Sequence, residues 1–449
     1  MSDTPSKPVH FDTVLEGLAQ NPALPHEFVR RLFPHRKGMG TVAKRPDLND
    51  GVIAEIIAID NHWLTHSLAL NRSLPPAFQM TLAEHPDPGI RAAVASRAGA
   101  ATPREVYERL VDDTDIRVRE YLAQNDHTPT DLLSRLAYDP DPKIRVTLAE
   151  WWTQAPEPVR RILLTDPDKT VRAAACATYF RGLPHPIPPA DLVPALLADP
   201  VTRAGAVRHC TLDSATAHRL AADPDDDVRT ELAEHPDLPP SLRDVLADDP
   251  SARVALGIFA RENTPEPIRA AIHARIISDA PSFDWLSDAD AMDDVAVERA
   301  IMHDFARMEL RTLSLPWVTA DPLLHVDSPY ACFRISAAIS GSLPTPVVAR
   351  LLADEDSGVR TAMARMARDE IDQATAVHID RTYRPVKRTR WRPADDLPLT
   401  ADTLRRLATD PDPRMRQLAP RDPDLPIEHA RRERPLAAAT PNSVIVGRL

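Results

Sequence analysis

The chain has 449 residues, with 12 glycines against 46 prolines, 43% apolar residues and 5% aromatic residues. So few glycines argue against Gly-rich phosphate loops and tight β-hairpins as dominant features, and so few aromatics favour packed helices over a β-sandwich. The 54 basic and 66 acidic side chains give a net charge of -12, which argues against a surface devoted to nucleic acid.

The first 20 residues lack a basic-then-apolar signal pattern, and no run of about 18 apolar residues occurs along the chain. We therefore expect a cytoplasmic protein without a membrane span. The 48 arginines against 6 lysines fit a bacterial protein from a GC-rich genome. Cys176, Cys210 and Cys332 are odd in number and widely spaced, which excludes a disulfide framework or a CxxC metal clip.

A repeated phrase organises most of the chain. Leu-Ala-x-Asp-Pro-Asp-x-x-Val-Arg recurs about every 26 residues, as at residues 136–145 and 220–229. Each copy predicts two short helices. The first opens at Thr-Pro or Leu-Pro with the proline at the first helical position, and Asp-Pro-Asp ends it and caps the second, with Asp141 as N-cap before Pro142.

Two further signals mark the helix boundaries. Thr102 with Glu105, and Thr128 with Asp131, resemble capping boxes. The hexapeptide Leu-Ala-Glu-His-Pro-Asp occurs at residues 82–87, where it is expected to end a first helix. It recurs at residues 232–237, where it is expected to end a second helix. Both half-units are therefore predicted to stop by the same chemistry.

Neither half-unit can bury its apolar stripe alone, so neighbouring units are expected to stack on one continuous core. The predicted fold is all-α, a right-handed solenoid of about 15 to 16 two-helix repeats. We predict an N-terminal segment (residues 1–20), repeats (21–274), degenerate repeats (275–327), repeats (328–431) with a basic insertion (381–392), and a C-terminal tail (432–449).

The alternation of Asp-Pro-Asp-x-x-Val-Arg with Ala-x-x-Pro-x-Leu-Pro resembles the leucine-rich repeat variant family, a HEAT-like α-solenoid, over about residues 74–272 and 343–426. The resemblance implies a scaffold that binds other macromolecules rather than a fixed activity. Some members of that family carry a cysteine cluster for iron and sulfur ahead of the repeats. No residue before Cys176 could supply one here.

The arginine of Val-Arg is the most repeated polar residue, and repetition favours a structural role. We predict that it pairs with an aspartate of its own or a neighbouring unit, and a ligand-binding arginine row is the alternative. The predicted ladder comprises Arg91, Arg119, Arg145, Arg172, Arg229, Arg253, Arg360 and Arg416.

Two short motifs could suggest small ligands. The sequence from Gly38 to Ala43 fits GxGxxA, but the preceding residues do not look like the strand that a dinucleotide site needs. His62 and His66 are spaced for one helix face, where a metal could bind with Asp60 or His35 nearby. A solvated or packed histidine pair is the preferred interpretation, and no metal or cofactor is predicted.

Residues 284–294 concentrate acids, but Met292 and Asp293 stand where a calcium loop of the EF-hand type needs an oxygen ligand and a glycine. An acidic loop with a helix start is preferred. Trp151 and Trp152 end a second helix and point about 100° apart, so one is expected to be buried and the other exposed as a candidate partner contact.

The basic insertion combines cations with aromatics and contains no acid. Such a segment can follow a phosphate backbone or dock an acidic protein, and an inter-repeat loop without a ligand is the preferred interpretation. Its candidate partner-binding residues are Arg381, Tyr383, Arg384, Lys387, Arg388, Arg390, Trp391 and Arg392.

These patterns predict a non-enzymatic scaffold that mediates protein–protein interaction. The first alternative is a nucleic-acid-binding HEAT-like protein, for example a DNA base-repair enzyme, which should show a basic groove with an acid and aromatics at its centre. An enzyme of another kind is the second alternative. No nucleophile and base pairing, phosphate loop or metal motif in the sequence supports it.

Overall fold

The structure, a computed structural model, describes residues 11–21, 23–35, 38–177, 179–180, 183–184, 186–278, 305–311, 313, 315–341, 343–368, 371–382, 399–416 and 418. The chain divides into two compact units, Met1–Leu220 and Ala221–Leu449, called unit 1 and unit 2 below. Both consist of short helices that pack in pairs against neighbouring pairs, so the predicted all-α repeat architecture is confirmed. Right-handedness stays a prediction.

Unit 1 alternates first and second helices. They are α1 (Phe11–Gln20), α2 (His26–Arg30), α3 (Met39–Ala43), α4 (Asp50–Ile59), α5 (His62–Ala69), α6 (Pro76–Ala83), α7 (Pro88–Arg97), α8 (Arg104–Val111), α9 (Ile116–Ala123), α10 (Thr130–Leu136), α11 (Pro142–Trp151), α12 (Glu157–Leu164), α13 (Lys169–Ala175), α14 (Val193–Ala198), α15 (Arg203–Val207) and α16 (Ser214–Ala221), the last ending at the unit boundary. A small antiparallel hairpin, β1 (Tyr179–Phe180) and β2 (Leu183–Pro184), pairs Tyr179 with Pro184 between α13 and α14.

Unit 2 continues the pattern with an irregular middle. Its helices are α17 (Asp226–Glu234), α18 (Pro240–Ala247), α19 (Ala252–Ala260), α20 (Glu266–Ser278), α21 (Pro316–Ala320), α22 (Ala331–Ala338), α23 (Thr345–Leu352), α24 (Ser357–Met366), α25 (Gln373–Thr382), α26 (Ala401–Ala408) and α27 (Pro413–Arg416). Residues 305–311 are also helical, and a 3-10 helix spans Pro322–Leu324.

Where the Asp-Pro-Asp phrase is intact, its second aspartate starts the second helix. Asp141 is the N-cap of α11, with Pro142 as the first helical residue, and its carboxylate accepts a hydrogen bond from the Lys143 N–H at 2.9 Å. The prediction for Asp141 is therefore confirmed. The same cap is made by Asp87, Asp115, Asp168, Asp225 and Asp356.

The predicted capping boxes are wrong. Pro103 and Pro129 are themselves the N-caps of α8 and α10, so each helix begins one residue later than expected. The threonine before each proline then lies outside the helix and closes the preceding turn. The Thr102 hydroxyl accepts from the Gly99 N–H, and the Thr128 hydroxyl donates to the Leu122 carbonyl, both at 2.9 Å.

The two identical hexapeptides end different helices, as predicted. Residues 82–87 include the end of α6, a first helix, and residues 232–237 include the end of α17, a second helix. In both copies the histidine Nδ1 accepts the N–H two residues later, at 3.1 Å, in His85 and in His235. The same turn therefore ends either half-unit.

The core of unit 1 is continuous. From α5 to α13 each second helix packs against its own first helix, and consecutive second helices pack against each other from α3 to α13. One cluster of buried side chains runs from Leu15 to Val171, which confirms the expected shared core within this unit. Gly205 lets the backbones of α15 and of Cys176, just after α13, approach each other closely, because a Cβ at residue 205 would collide with the Cys176 carbonyl oxygen.

The irregular middle of unit 2 is held by aromatic packing, in what we call the aromatic cluster: Phe259, Arg269, His273, Trp317, His325, Tyr330 and Phe333. The Phe259 and Tyr330 ring centroids lie 5.2 Å apart edge to face, and the Arg269 guanidinium lies 5.1 Å from the Phe333 centroid. The Trp317 indole donates to the Ala260 carbonyl at 3.0 Å. Contacts between aromatic rings thus hold the helices together in the part of unit 2 where the repeated sequence phrase is hard to find.

Candidate functional site

The repeated arginine is a structural tie between neighbouring repeats. Nε and Nη2 of Arg145 donate to the two carboxylate oxygens of Asp166 at 2.7 and 2.9 Å, while Nη1 donates to the Asp139 carbonyl at 2.7 Å. Arg145 thus joins the turn before its own helix to the corresponding turn of the next repeat. The Asp166 side chain is only 4% exposed, so the pair is largely screened from water.

The tie recurs through both units. Arg91 pairs with Asp113, Arg119 with Asp139, Arg172 with Asp199, Arg229 with Asp249 and Arg334 with Asp354, at 2.6 to 2.8 Å. From Arg91 to Asp199 these ion pairs, the rungs of the ladder, form an unbroken series. Each aspartate that accepts one arginine side chain belongs to a turn, and a backbone carbonyl of that turn accepts the next arginine side chain. Beyond Asp199, the Arg203 guanidinium donates to the Leu197 and Ala198 carbonyls of its own turn.

Each paired aspartate has a second role, which the sequence analysis missed. Asp113 Oδ1 also accepts the Asp115 N–H at 2.9 Å, which fixes the turn between α8 and α9. Burial alone would raise the pKa of Asp113, but the hydrogen bonds from Arg91 and from the Asp115 N–H hold that pKa below its usual value. The same balance lowers the pKa of Asp166. The first aspartate of Asp-Pro-Asp is therefore ionised. It accepts the arginine of the preceding repeat and at the same time fixes the turn of its own repeat.

Two predicted ladder members depart from this geometry, and one residue was missed. Arg253 reaches back to Asp227 at 2.5 Å, and this pair is more exposed. Arg360 donates to the carbonyl of Asp354 in its own turn, but its Nε is buried without a partner in the described part of the chain. Arg416 donates to the Asp410 carbonyl of its own turn, as the paired arginines do. Arg334 completes a full rung, although its repeat lacks the Asp-Pro-Asp phrase.

A second set of side chains ties the other end of the repeats. We call them exit residues, because they stand at or just after the end of each second helix in five successive repeats: Arg45, Asn71, Arg97, Asn125 and Trp151. Nδ2 of Asn125 donates to the Ala95 and Ala98 carbonyls of the preceding repeat at 2.9 and 2.8 Å. Asn71 and Arg45 make the equivalent bonds to carbonyls 24 to 28 residues earlier.

Arg97 does not make this bond. Helices α5 and α9 end two residues before their exit asparagines, whereas α7 continues through Arg97 and turns its side chain outward. The Arg97 side chain is exposed and has no hydrogen bond or ion pair within the part of the chain that the structure describes. Helix α11 likewise continues through Trp151. Arg97 is thus released from the interior, and Trp151 stands at the corresponding position of its own repeat.

A cavity of about 200 Å³ lies at the seam where the bond from residue 97 is missing. Asn71, Gln79, Arg97 and Thr102 are among the residues that line it. Oε1 of Gln79 is buried there without a hydrogen-bond partner among the described residues, while its Nε2 donates to the Leu74 carbonyl at 2.7 Å. The seam between these two repeats is therefore less completely tied than its neighbours.

Arg97 and Trp151 both line a larger cleft, of about 570 Å³, across the second helices α5, α7, α9 and α11. Leu70, Ala92 and Ala93 supply its apolar lining, and the polar and aromatic lining consists of His66, Ser96, Arg97, Arg117, Tyr121, Gln124, Asn125 and Trp151, with Gly89 completing the set. We call it the second-helix cleft. Its volume is in the range that holds a small ligand or a few peptide residues.

The cleft has a distinct charge. Two arginines and a histidine line it without any acid, although acids outnumber bases in the chain. Arg117 is held by Asp115 through Nε and Nη2, at 3.1 and 2.9 Å, whereas Arg97 is not held by an acid. Burial, reinforced by His62 and Lys44, lowers the pKa of His66, so this ring is neutral near pH 7. Arg97 thus supplies the uncompensated positive charge.

The two tryptophans diverge as expected, but neither is fully buried or fully exposed. Trp152 packs against the core of unit 1, and Trp151 faces the second-helix cleft, each with intermediate exposure. The expectation of one buried and one exposed ring is therefore wrong, because both rings are half-buried. Helix α11 ends at Trp151, and the Trp152 N–H still donates to the Leu148 carbonyl, which keeps both rings against the end of the helix.

The two small-ligand motifs have structural roles. His62 donates from Nδ1 to the Asp87 carboxylate of the next repeat at 2.7 Å, and the His66 ring stacks on the His62 ring with centroids 6.0 Å apart. No group of three metal-ligating side chains occurs among the residues described. Gly38 follows turns rather than a strand, and its φ of +95° and a 3.1 Å approach of a Cβ to the Leu15 carbonyl oxygen explain the glycine.

Most of the basic insertion lies outside the described residues, namely Tyr383, Arg384, Lys387, Arg388, Arg390, Trp391 and Arg392, as does the acidic stretch 284–294. Arg381 is described: its guanidinium donates to both carboxylate oxygens of Asp410, at 3.1 and 2.6 Å. This cation ties α25 to the turn after α26.

No protein-family model matches the chain, and no curated protein matches it either. Within the described ranges, no helix is both long and apolar enough to cross a lipid bilayer. The second-helix cleft therefore stands on its own geometry as the candidate site.

Proposed function

We propose that the protein is a non-enzymatic repeat scaffold that binds a protein partner, and that the second-helix cleft of unit 1 is a contact site. The observation that carries this proposal is the release of Arg97 from a position that ties the repeats elsewhere. A buried tie contributes stability, so its absence at residue 97, on a cleft that Trp151 also lines, favours a role outside folding.

The composition of the cleft supports a protein ligand. Tyrosine, tryptophan and arginine dominate the energetics of protein interfaces, and Tyr121, Trp151 and Arg97 stand together here. The resemblance to the leucine-rich repeat variant family adds to the proposal, because that resemblance implies a binding scaffold. We also propose a cytoplasmic location and a bacterial source on the sequence grounds given above.

Site-specific photo-crosslinking tests this proposal. A photoreactive amino acid replaces Gln124 in the cleft or, as a matched control, exposed Arg109 on the first helix α8. After irradiation in the source cells, we expect a protein adduct from position 124 that disappears in Arg97→Ala and Trp151→Ala variants. Equal adducts from both positions, or none from position 124, would refute the cleft as a partner site.

Nucleic acid is the second candidate ligand class, and the same experiment addresses it. A nuclease-sensitive adduct from position 124 would favour the nucleic-acid-binding alternative. The argument against it is electrostatic: Asp87, Asp115, Glu120 and Glu150 lie on or beside the helices that form the cleft. A long polyanion would meet these acids on either side of two arginines.

A further inference from the structure

We infer that the second-helix cleft recognises a carboxylate next to an apolar or aromatic side chain, as in a short acidic peptide segment. The inference rests on the proposed function and specifies its ligand. Its basis is the juxtaposition of the unpaired Arg97 guanidinium with the rings of Tyr121 and Trp151 in one acid-free cleft.

The carboxylate position follows from Arg97. A guanidinium offers a planar set of donors that matches a carboxylate, and no acid of the described chain uses the donors of Arg97. The Gln124 carboxamide lines the same cleft, also without a hydrogen bond within the described ranges, and it can donate to the second oxygen. Arg117 adds positive charge while Asp115 fixes its orientation.

The apolar position follows from the small residues of α7. Ala92 and Ala93 are both 4% exposed and line the cleft, so a ligand can lie close to the helix backbone there. Tyr121 is 43% exposed, and its ring stands on α9 beside this surface. A flat side chain on the two alanines would contact the rings of Tyr121 and Trp151.

A single carboxylate fits better than a phosphate chain. The cleft holds one unpaired cation, and the acids beside it disfavour further negative charge. A peptide also needs its backbone N–H groups satisfied, and the Tyr121 hydroxyl and the Ser96 hydroxyl are acceptors within the cleft.

The repeat itself provides a variant that separates binding from folding. Arg97→Asn places at residue 97 the side chain that ties the equivalent carbonyls at Asn71 and Asn125. We expect this variant to melt at the same or a higher temperature than the wild type while losing affinity for acidic peptides by tenfold or more. Arg109→Ala, which removes an exposed cation from α8, is the matched control and should change neither property.

The probes are fluorescein-labelled hexapeptide pools with Glu-Phe or Glu-Leu at the centre, their Gln twins, and a ten-nucleotide oligothymidylate, each titrated against the full chain by fluorescence anisotropy. We expect the Glu pools to bind at least tenfold more tightly than the Gln pools, and Arg97→Asn, Tyr121→Ala and Trp151→Ala to remove that preference. Equal binding of the Glu and Gln pools, or unchanged preference in Arg97→Asn, overturns the inference. Preferential binding of the oligonucleotide also overturns it.

The two proposals fail separately. If crosslinking from position 124 captures a protein but the Glu and Gln pools bind alike, the scaffold function stands and the carboxylate specificity is wrong. If position 124 yields no protein adduct, the cleft is not a partner site, and the proposed function fails with it.

Discussion

The ladder of unit 1 and the aromatic cluster of unit 2 solve the same problem with opposite chemistry. From Arg91 to Asp199, ion pairs of fixed geometry join one repeat to the next. Between Phe259 and Phe333, where the phrase is lost, rings at 4.9 to 6.2 Å hold irregularly spaced helices together. A repeated polar tie needs a constant spacing of helices, whereas an aromatic cluster tolerates a variable one.

The contrast predicts different failure modes. A ladder rung is local, since each arginine contacts one aspartate and the turn beside it. The aromatic cluster is shared, because Phe259 alone stacks on or abuts His273, Tyr330 and Phe333. Loss of one ring should therefore disturb several helices, and loss of one rung should disturb a single seam.

The largest expected effect is in the aromatic cluster. Phe259 is fully buried, so Phe259→Ala should lower the free energy of unfolding by about 4 kcal/mol through lost burial and a cavity. Urea denaturation followed by hydrogen exchange should place the loss in unit 2. Phe28→Ala, which removes a ring that is 41% exposed in unit 1, is the control and should cost less than about 1 kcal/mol. A loss for Phe259→Ala no larger than for the control would contradict the assignment.

Breaking one rung should have a smaller but still large effect. Arg145→Ala leaves the Asp166 carboxylate buried without its cation and should cost about 3 kcal/mol. Arg117→Ala removes an exposed arginine from the neighbouring second helix α9 and should change the stability far less. Thermal and urea melts of both variants measure the difference.

A double variant shows whether the charge itself matters. Arg145→Met with Asp166→Leu replaces the ion pair by apolar contacts of similar volume, and it should recover most of the stability lost in Arg145→Ala. If the double variant is as unstable as Arg145→Ala, the contact between the two repeats is stabilised by the hydrogen bonds of Arg145 and Asp166 to the backbone and not by their ion pair.

Much of the ladder could be predicted from the sequence, because its spacing is constant. The arginine of Val-Arg and the cap at Asp141 are both visible in the repeated phrase. The pairing partner was harder to predict. Whether the arginine pairs with the first or the second aspartate of Asp-Pro-Asp depends on the angle between helices, which a sequence pattern does not contain. Arg334 was missed because its repeat has Ser328 where the phrase has an aspartate.

The second-helix cleft could not be predicted in the same way. Its residues come from four repeats, and the decisive feature is where α7 and α11 end. Arg97 and Trp151 align with Asn71 and Asn125 only once the 28-residue spacing before Asn125 is recognised. The aromatic cluster is equally hidden, since Trp317 and Phe259 are brought together across the stretch where no repeat phrase is evident.

The aromatic cluster and the ladder should lose stability at different pH values as the solution is acidified. Burial lowers the pKa of His273 and of His325, so both rings are neutral in the folded protein and must gain a proton as pH falls. Their folded pKa lies below the unfolded value of about 6.5, so stability is complete above that pH and declines as pH falls below it. Asp113 and Asp166 also have lowered pKa values, so their contribution is complete above about pH 4 and is lost below it.

Hydrogen exchange measured at pH 7, 5 and 3.5 tests this order. We expect protection around the aromatic cluster to weaken first, between pH 7 and 5, and protection around the ladder to weaken at pH 3.5. His273→Phe should remove part of the first loss and leave the second unchanged. Simultaneous loss in both regions at pH 5 would mean that the histidines of the aromatic cluster do not set its acid sensitivity.

The smallest expected effect is the reactivity of the cysteines, and it provides a probe in each region. Burial raises the pKa of the Cys176 thiol, near the end of the ladder, and of the Cys332 thiol, beside the aromatic cluster, to about 12 in both cases. At pH 8 the thiolate fraction is then about a thousandfold below that of a free cysteine, and both side chains are buried. Native protein should therefore resist iodoacetamide at these two positions.

Pulsed alkylation in rising urea, read by mass spectrometry, then reports the opening of each region separately. Because the variants act on different regions, Phe259→Ala should expose Cys332 at lower urea with little change at Cys176, and Arg145→Ala should do the reverse. If either variant exposes both cysteines together, the ladder and the aromatic cluster unfold as one cooperative unit, and the difference in their chemistry does not separate their stabilities.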